Sequence, residues 1–87
     1  MAMNLHWLEL FYYVAKHEGI TPALAEIPYG IQQPAVSGQI IKLENDLGTV
    51  LFRRRPFKLT PAGELLYERT RPFFDNLDNL EKEIKTL

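Results

Sequence analysis

A chain of 87 residues can form one domain at most, and it lies near the lower size limit at which a single core is stable without a partner. The lack of cysteine excludes disulfides and thiolate metal sites, and His6 and His17 stand eleven positions apart, so we expect no structural metal and no cofactor. The net charge of −1 by itself argues against nucleic-acid binding, but residues 31–60 carry +3 and residues 61–87 carry −2, so DNA would contact only the first section.

The first predicted element is an amphipathic helix over residues 4–18 that ends at Gly19. Its apolar side chains recur at three- and four-residue steps, namely at Leu5, Leu8, Phe11, Val14 and Ala15. Further apolar residues widen this face: Trp7, Leu10, Tyr12 and Tyr13. We assign most of these aromatic rings to the core or to a dimer contact rather than to base stacking, because no basic residue is interleaved with them.

A second, short helix is predicted to begin at Thr21, because threonine is a favourable N-cap and Pro22 would then occupy the first helical position. Its apolar residues are Ala23, Leu24 and Ile27. Pro28 ends this helix, and Tyr29 and Gly30 supply a turn before the next one. A short helix, a glycine-containing turn and a longer helix form the helix-turn-helix pattern.

The third helix is predicted over residues 33–47 and stops at Gly48. One apolar stripe should face a core: Val36, Ile40, Leu43 and Leu47. The other face begins with Gln33, Pro34 and Ser37, which are uncharged side chains that can meet base edges. This pattern indicates a DNA recognition helix.

Two short apolar pieces, residues 50–52 and 57–59, flank a basic turn that contains three arginines and Pro56. They predict a small β-hairpin with Phe57 and Leu59 directed inward and Lys58 outward. Such a hairpin would be a wing, with residues 53–58 near DNA. A charge run can also be a solvated turn, but a position at the hairpin tip favours DNA contact, because guanidinium groups suit a narrow groove of negative potential.

A long last helix is predicted to begin at Thr60 and Pro61, with Glu64 favourably placed in its first turn. Its apolar residues follow an a/d heptad seam with a gap at Thr70: Leu66, Phe73, Leu77, Leu80, Ile84 and Leu87. So narrow a stripe favours a dimer contact over an intramolecular core. Pro72 removes a helical hydrogen bond, so we expect a bend there.

This mainly α-helical, winged helix-turn-helix arrangement with a long final helix resembles the N-terminal DNA-binding domain and linker helix of LysR-type transcriptional regulators. Four motifs carry the resemblance: Leu5-x-x-Leu8-x-x-Phe11-x-x-Val14-Ala15, then Gln33-Pro34-Ala35-Val36-Ser37-x-Gln39-Ile40-x-Lys42-Leu43-Glu44-x-x-Leu47-Gly48, then Leu51-Phe52-x-Arg54, then Leu59-Thr60-x-Ala62-Gly63. The resemblance covers nearly the whole chain. It implies a DNA-binding domain over residues 1–60 and a dimerising linker helix over residues 61–87.

The resemblance also implies roles for single residues. Gln33, Pro34 and Ser37 would contact bases in the major groove. Thr21 and Lys42 would contact phosphates, and Arg54 would act from the wing near the minor groove. The full candidate set for DNA contact comprises Thr21, Gln32, Gln33, Pro34, Ser37, Gly38, Ile41, Lys42, Arg53, Arg54, Arg55 and Lys58.

The chain departs from the family pattern at three positions of the recognition helix. Gln32 stands where a serine cap is common, Gly38 where an arginine is common, and Ile41 where a polar or basic residue is frequent. The turn over residues 27–31 is longer than usual and the wing is shorter. Gln33 can also merely cap its helix, and Ser37 can bond its own backbone.

These observations predict a dimeric, sequence-specific binder of double-stranded DNA that works in the cytoplasm of a bacterium, without membrane contact. The effector-binding domain expected in the full-length protein is absent from this chain. The alternative is a helical protein-interaction module that uses its acidic last helix. An enzyme is not expected, because Ser37 has no histidine or lysine placed to activate it and no phosphate-binding glycine loop occurs.

Overall fold

The computed structural model describes residues 3–87, which form four α-helices and one two-stranded antiparallel sheet. In chain order the elements are α1 (Leu5–His17), α2 (Ile20–Leu24), α3 (Gln33–Leu47), β1 (Phe52–Arg54), β2 (Phe57–Leu59) and α4 (Pro61–Lys85). This is the predicted mainly α-helical architecture with a small hairpin wing and a long last helix.

Helix α1 is the central element, because α2, α3 and α4 all pack against it. Its N-terminus is capped by Asn4, whose Oδ1 accepts hydrogen bonds from the N–H groups of His6 and Trp7 at 2.9 and 3.2 Å. The helix ends at His17, and Glu18 rather than Gly19 adopts the left-handed conformation that terminates it, with φ of 56°.

The prediction for α2 was wrong in its boundaries. The N-cap is Gly19, whose carbonyl accepts the N–H of Ala23 at 3.3 Å, so Thr21 lies inside the helix and does not cap it. The helix already ends at Leu24, because a proline at position 28 clashes with a helical carbonyl four residues earlier. Ile27 therefore lies beyond the helix, although its side chain is buried.

The boundaries of α3 agree with the prediction. Gln32 is the N-cap and makes no capping hydrogen bond with its side chain, and Gly48 closes the helix in the left-handed conformation with φ of 72°. Three of the four predicted core residues are buried: Val36, Ile40 and Leu43. Leu47, the last residue of the helix, is exposed instead.

The hairpin has the predicted orientation. Strand β1 pairs with β2 so that Phe52 lies opposite Leu59, Arg53 opposite Lys58 and Arg54 opposite Phe57. Phe57 and Leu59 are half-buried against the core, and Lys58 is exposed. Neighbouring side chains on a strand point to opposite faces, so the hairpin has an inner face towards the core and an outer face towards solvent.

Helix α4 begins as predicted at the Thr60 cap, whose Oγ1 accepts the N–H of Gly63 at 3.1 Å. The same hydroxyl donates to the carbonyl of Val50 at 2.7 Å, which ties the helix to the start of the wing. The helix continues through Pro72 to Lys85. The bend at Pro72 stays a prediction.

The first half of α4 packs against the body of the domain and the second half does not. Phe74 is buried in the core and Leu66 is half-buried against it, whereas residues 76–87 are all exposed. Leu66, predicted as the first residue of the dimer seam, thus packs partly against the core of its own domain. Of the predicted seam residues, the exposed ones begin at Phe73.

Candidate nucleic-acid interface

The face of α3 opposite the core is continuous and accessible. Its residues are exposed except for the half-buried Ser37, and we call them the recognition face: Gln33, Pro34, Ser37, Gly38, Ile41 and Lys42. Their helical spacing places them on one side of α3. The three buried residues of α3 hold the opposite side in the core, so this side remains accessible. The cap residue Gln32 is exposed at the start of this face.

The wing is joined directly to this face. The Nη2 group of Arg54 donates a hydrogen bond to the Oγ of Ser37, and the Arg54 guanidinium lies 5.9 Å from the centroid of the Phe52 ring. Ser37 therefore accepts a hydrogen bond from the wing, which differs from both roles considered for its hydroxyl, a base contact and a bond to its own backbone. Residues 17 positions apart in sequence thus form one surface.

The three arginines of the wing do not form a single cluster. Arg54 shares the inner face of the hairpin with Phe52, whereas Arg53 lies opposite Lys58 on the outer face. Arg55 lies in the turn on the same side as Arg54, because both line one cleft. The recognition face thus has two arginines beside it, and the third points away from it.

This cleft lies between α2, the start of α3 and the wing, with a volume of about 260 Å³. Thr21, Gln33, Arg54 and Arg55 all line it, together with one carboxylate, Glu18. The fold therefore brings four of the predicted DNA-contact residues together, although they come from three elements. A second cleft of about 220 Å³ on the outer side of the wing is lined by Arg53, Lys58 and the start of α4.

The cations of the interface have no carboxylate partner. Within residues 3–87 the one ion pair joins Lys85 to Glu81 at 2.8 Å on the exposed part of α4. Within the described residues no carboxylate therefore neutralises the wing arginines, Lys42 or Lys58, and their charges can meet phosphates, which are anions that arginine binds with good geometry.

Comparison with known proteins identifies the family of this arrangement. The family model of bacterial regulatory helix-turn-helix proteins of the LysR family matches residues 5–64. The chain belongs to the LysR family. One relative is the HTH-type transcriptional regulator BudR of Klebsiella aerogenes, which is 46% identical over 68 residues that make up 76% of this chain and 46% of BudR.

Two solved structures show the same fold. The BenM DBD, in a complex with catB site 1 DNA, matches with a TM-score of 0.77 and 34% identity, over 97% of this chain and 94% of that chain. Full-length AphB, a virulence activator of Vibrio cholerae and a member of the LTTR family, matches with a TM-score of 0.82 and 30% identity, over 94% of this chain and 28% of that chain. The matched part of this LysR-family chain therefore covers less than half the length of BudR and of AphB. BudR is described as a transcriptional regulator and AphB as a virulence activator.

Two contacts that position the LysR-family recognition helix were missed by the sequence interpretation. The Tyr29 hydroxyl donates to Glu9 Oε1 at 2.8 Å and lies 3.3 Å from His6 Nδ1, which ties the long turn after α2 to α1. Burial, followed by the hydrogen bond with Glu9, raises the pKa of Tyr29 above its usual range. A tyrosine in a turn carries no sequence signal for such a contact, because its partner is 20 positions away.

The second missed contact lies at the other end of α3. The backbone N–H of Leu51 donates to Glu44 Oε2 at 2.8 Å, so the carboxylate holds the strand that leads into the wing. Glu44 belongs to the leucine-glutamate motif that carried the resemblance, and the motif was therefore the available signal. Its role is to set the position of the wing relative to the recognition face.

The exposed half of α4 carries an apolar stripe, which we define as Phe73, Leu77, Leu80, Ile84 and Leu87. The first four side chains are 46 to 60% exposed, so this chain by itself leaves them in water. Within the described residues, no group of three histidine or acidic side chains is arranged to hold a metal ion. No helix in residues 3–87 is both long enough and apolar enough to cross a membrane.

Proposed function

We propose that the chain is the sequence-specific, double-stranded DNA-binding domain of a LysR-type transcriptional regulator. Helix α3 would enter the major groove with the recognition face, and wing residues 53–58 would lie near the adjacent minor groove. The observation that carries the proposal is the Arg54–Ser37 hydrogen bond, because it joins the wing and the recognition face into one surface. The likeness to the BenM DBD in its DNA complex supports it.

In this proposal the residues divide into base contacts and phosphate contacts. Gln33 lies in the first turn of α3, where its amide can pair with adenine, and Pro34 and Ser37 lie beside it. Arg55 and Thr21, which line the cleft, and Lys42 on the recognition face would bind phosphates, and these contacts would supply affinity but little sequence preference. At Gly38 and Ile41 this chain presents no polar side chain to the duplex.

A second copy of the chain would complete the binding unit. The apolar stripe of α4 is long, narrow and exposed, as in helices that pair with another helix. Antiparallel pairing of two such helices would place two recognition faces at two half-sites related by the dimer axis. The protein would act in the cytoplasm without catalysing a reaction, and the remainder of a LysR-type protein would carry the effector-binding domain.

Fluorescence anisotropy with a labelled mixed-sequence duplex at several salt concentrations tests DNA binding. We expect the logarithm of affinity to fall linearly with the logarithm of salt concentration, and Arg54→Ala should reduce that slope by about 0.9 for each phosphate that the variant no longer neutralises. Lys82→Ala, which removes a charge from the exposed part of α4, should leave the slope unchanged. Absence of binding at low salt would instead favour the helical protein-interaction module.

A further inference from the structure

Helix α4 leaves the body of the domain at one point. Up to residue 75 its side chains alternate between packed and exposed positions, and from residue 76 onward every residue is exposed. Asp75 is the last residue of α4 that is not exposed. The direction of the exposed segment, residues 76–85, is therefore set by contacts made at or before Asp75.

A polar contact lies at this exit. The hydroxyl of Tyr12, a fully buried residue of α1, donates a hydrogen bond to Asp75 Oδ1. Lys16, one turn further along α1, donates to the same hydroxyl at 3.3 Å, and its ammonium lies 5.5 Å from the centroid of the Tyr12 ring. The carboxylate, the phenol and the ammonium thus form a chain that joins α1 to α4.

The rings around Tyr12 fix its position. The Tyr12 ring centroid lies 5.0 Å from that of Phe74, 6.2 Å from that of Tyr67 and 5.3 Å from that of Tyr13. Because Phe74 and Tyr67 belong to α4, these ring contacts already hold the two helices together, but apolar attraction is non-directional. The hydrogen bond to Asp75 adds a directional constraint, because its strength depends on angle as well as distance.

The direction of the exposed segment has a large effect on geometry. Ten residues of α-helix beyond Asp75 span about 15 Å, so a change of about 10° in direction moves the far end by roughly 3 Å. This displacement is close to the rise of about 3.4 Å per base pair along one DNA strand. If the direction of this segment varied by that angle, the distance between the two recognition faces of a dimer would therefore vary by about one base pair.

We propose that the Tyr12–Asp75 hydrogen bond, supported by Lys16, is a positioning contact that sets the direction of α4 and hence the half-site spacing that a dimer accepts. The proposal rests on the proposed DNA-binding function for its biological consequence, but the positioning itself is a property of the chain alone. Tyr12, Lys16 and Asp75 would contact no DNA. They would act through the placement of the apolar stripe.

Distance measurements test the positioning without DNA. The chain has no cysteine, so spin labels can be attached at Asp46→Cys on α3 and Glu83→Cys on α4, with labelled chains diluted in unlabelled protein. Tyr12→Phe and Asp75→Ala should broaden or shift the distance distribution, whereas Tyr13→Phe, the same change at the neighbouring ring, should not. Asp75→Asn keeps an oxygen acceptor for the phenol and should stay close to the parent distribution.

DNA binding tests the consequence. Duplexes with one half-site, with two half-sites at the spacing selected by the parent protein, and with that spacing changed by one base pair should be compared. We expect Tyr12→Phe and Asp75→Ala to bind a single half-site within about twofold of the parent and to reduce the penalty for altered spacing about fivefold, roughly 1 kcal/mol at 25 °C.

Unchanged distance distributions in both Tyr12→Phe and Asp75→Ala would overturn the proposal, and so would an unchanged spacing penalty. If Tyr12→Phe fails to fold, as judged by circular dichroism, the comparison of Asp75→Ala with Asp75→Asn decides the matter, because Asp75 is at the edge of the core. A parent protein that binds no duplex would refute the proposed function, while the distance measurement would still test the positioning contact.

Discussion

At the scale of single residues, Gly38 of α3 and Gly63 of α4 have opposite surroundings. A Cβ at Gly63 would lie 1.9 Å from the carbonyl oxygen of Leu51, because α4 crosses the chain closely at this point. A Cβ at Gly38 would meet nothing within 4 Å. One position therefore requires glycine for close packing, and the other only loses helix propensity by having it.

These surroundings predict opposite effects of alanine on stability. Gly63→Ala should lower the free energy of unfolding by about 3 kcal/mol or more, because backbone rather than a flexible side chain must move. Gly38→Ala should raise it by up to ~1 kcal/mol, the difference in helix propensity. Urea unfolding followed by circular dichroism measures both. Equal effects of the two substitutions would contradict the close approach at Gly63.

The buried Tyr12 predicts a loss of stability at alkaline pH. Burial, then the hydrogen bond with Asp75 and the negative charges of Asp75 and Asp78, raise the pKa of Tyr12 well above its ordinary value near 10. The unfolded chain releases this proton near pH 10 and the folded chain holds it, so the stability is complete below about pH 10 and is lost as the pH rises towards the folded pKa.

Unfolding free energies measured between pH 8 and about pH 12 test whether stability falls as the pH rises. The parent protein should lose stability above about pH 10 more steeply than Tyr12→Phe, by up to about 1.4 kcal/mol per pH unit for a residue that titrates only when unfolded. Tyr13 and Tyr29 also have raised pKa values, so some slope should persist in the variant. Identical pH profiles for the two proteins would contradict the assignment to Tyr12.

At the scale of elements, one hydroxyl contributes twice to the junction between α4 and the chain before the wing. Thr60 accepts the N–H of Gly63 and donates to the carbonyl of Val50, so it caps the helix and anchors the chain before β1 at the same time. A threonine at the other end of α4, Thr86, bonds only the preceding turn, at the carbonyl of Glu83. Thr86 therefore serves as a control for substitutions of Thr60.

Thr60→Val should lower the unfolding free energy by about 1–2 kcal/mol, because it removes a cap and leaves the Val50 carbonyl without its protein donor. Thr86→Val removes the same hydroxyl at a frayed, exposed end and should change stability by less than about 0.5 kcal/mol. Thermal or urea unfolding of both variants provides the comparison. A larger loss for Thr86→Val would show that the contact with the wing contributes little.

At the scale of the whole molecule, the described chain is elongated, and its two ends differ in packing. The described chain measures 42 × 27 × 21 Å, with the core at one end and the exposed segment of α4 at the other. The apolar stripe runs from Phe73 along that segment to Leu87, and within the described residues its side chains are exposed. Another helix is the surface that fits a stripe of this width.

The stripe predicts a change in oligomeric state when a charge is introduced. Leu80→Glu should shift the protein from dimer to monomer, because a dimer would bury an unpaired carboxylate in its seam. Leu65→Glu is the control, since Leu65 is equally exposed on α4 but lies away from the stripe, and it should remain a dimer. Sedimentation velocity at micromolar concentration distinguishes the two states. A parent protein that stays monomeric there would contradict the dimer proposal.

The sequence by itself determined the order of the elements and the faces of the helices. Periodicity placed Val36, Ile40 and Leu43 inside and Gln33 and Lys42 outside, because an apolar stripe can be buried only in one way. Cap residues and glycines located the ends of α3 and the start of α4, since these signals act over only a few neighbouring positions. The same signals failed at α2, where Gly19 displaced Thr21 as the cap.

Only the tertiary structure decided which distant side chains meet. The bonds of Arg54 to Ser37, Glu44 to the chain before the wing and Tyr12 to Asp75 join residues from 7 to 63 positions apart. Strand pairing, not composition, turned Arg53 away from the recognition face. Polar contacts of this kind leave no periodic pattern in a sequence, because each depends on one distance and one angle that the packing of the whole core sets.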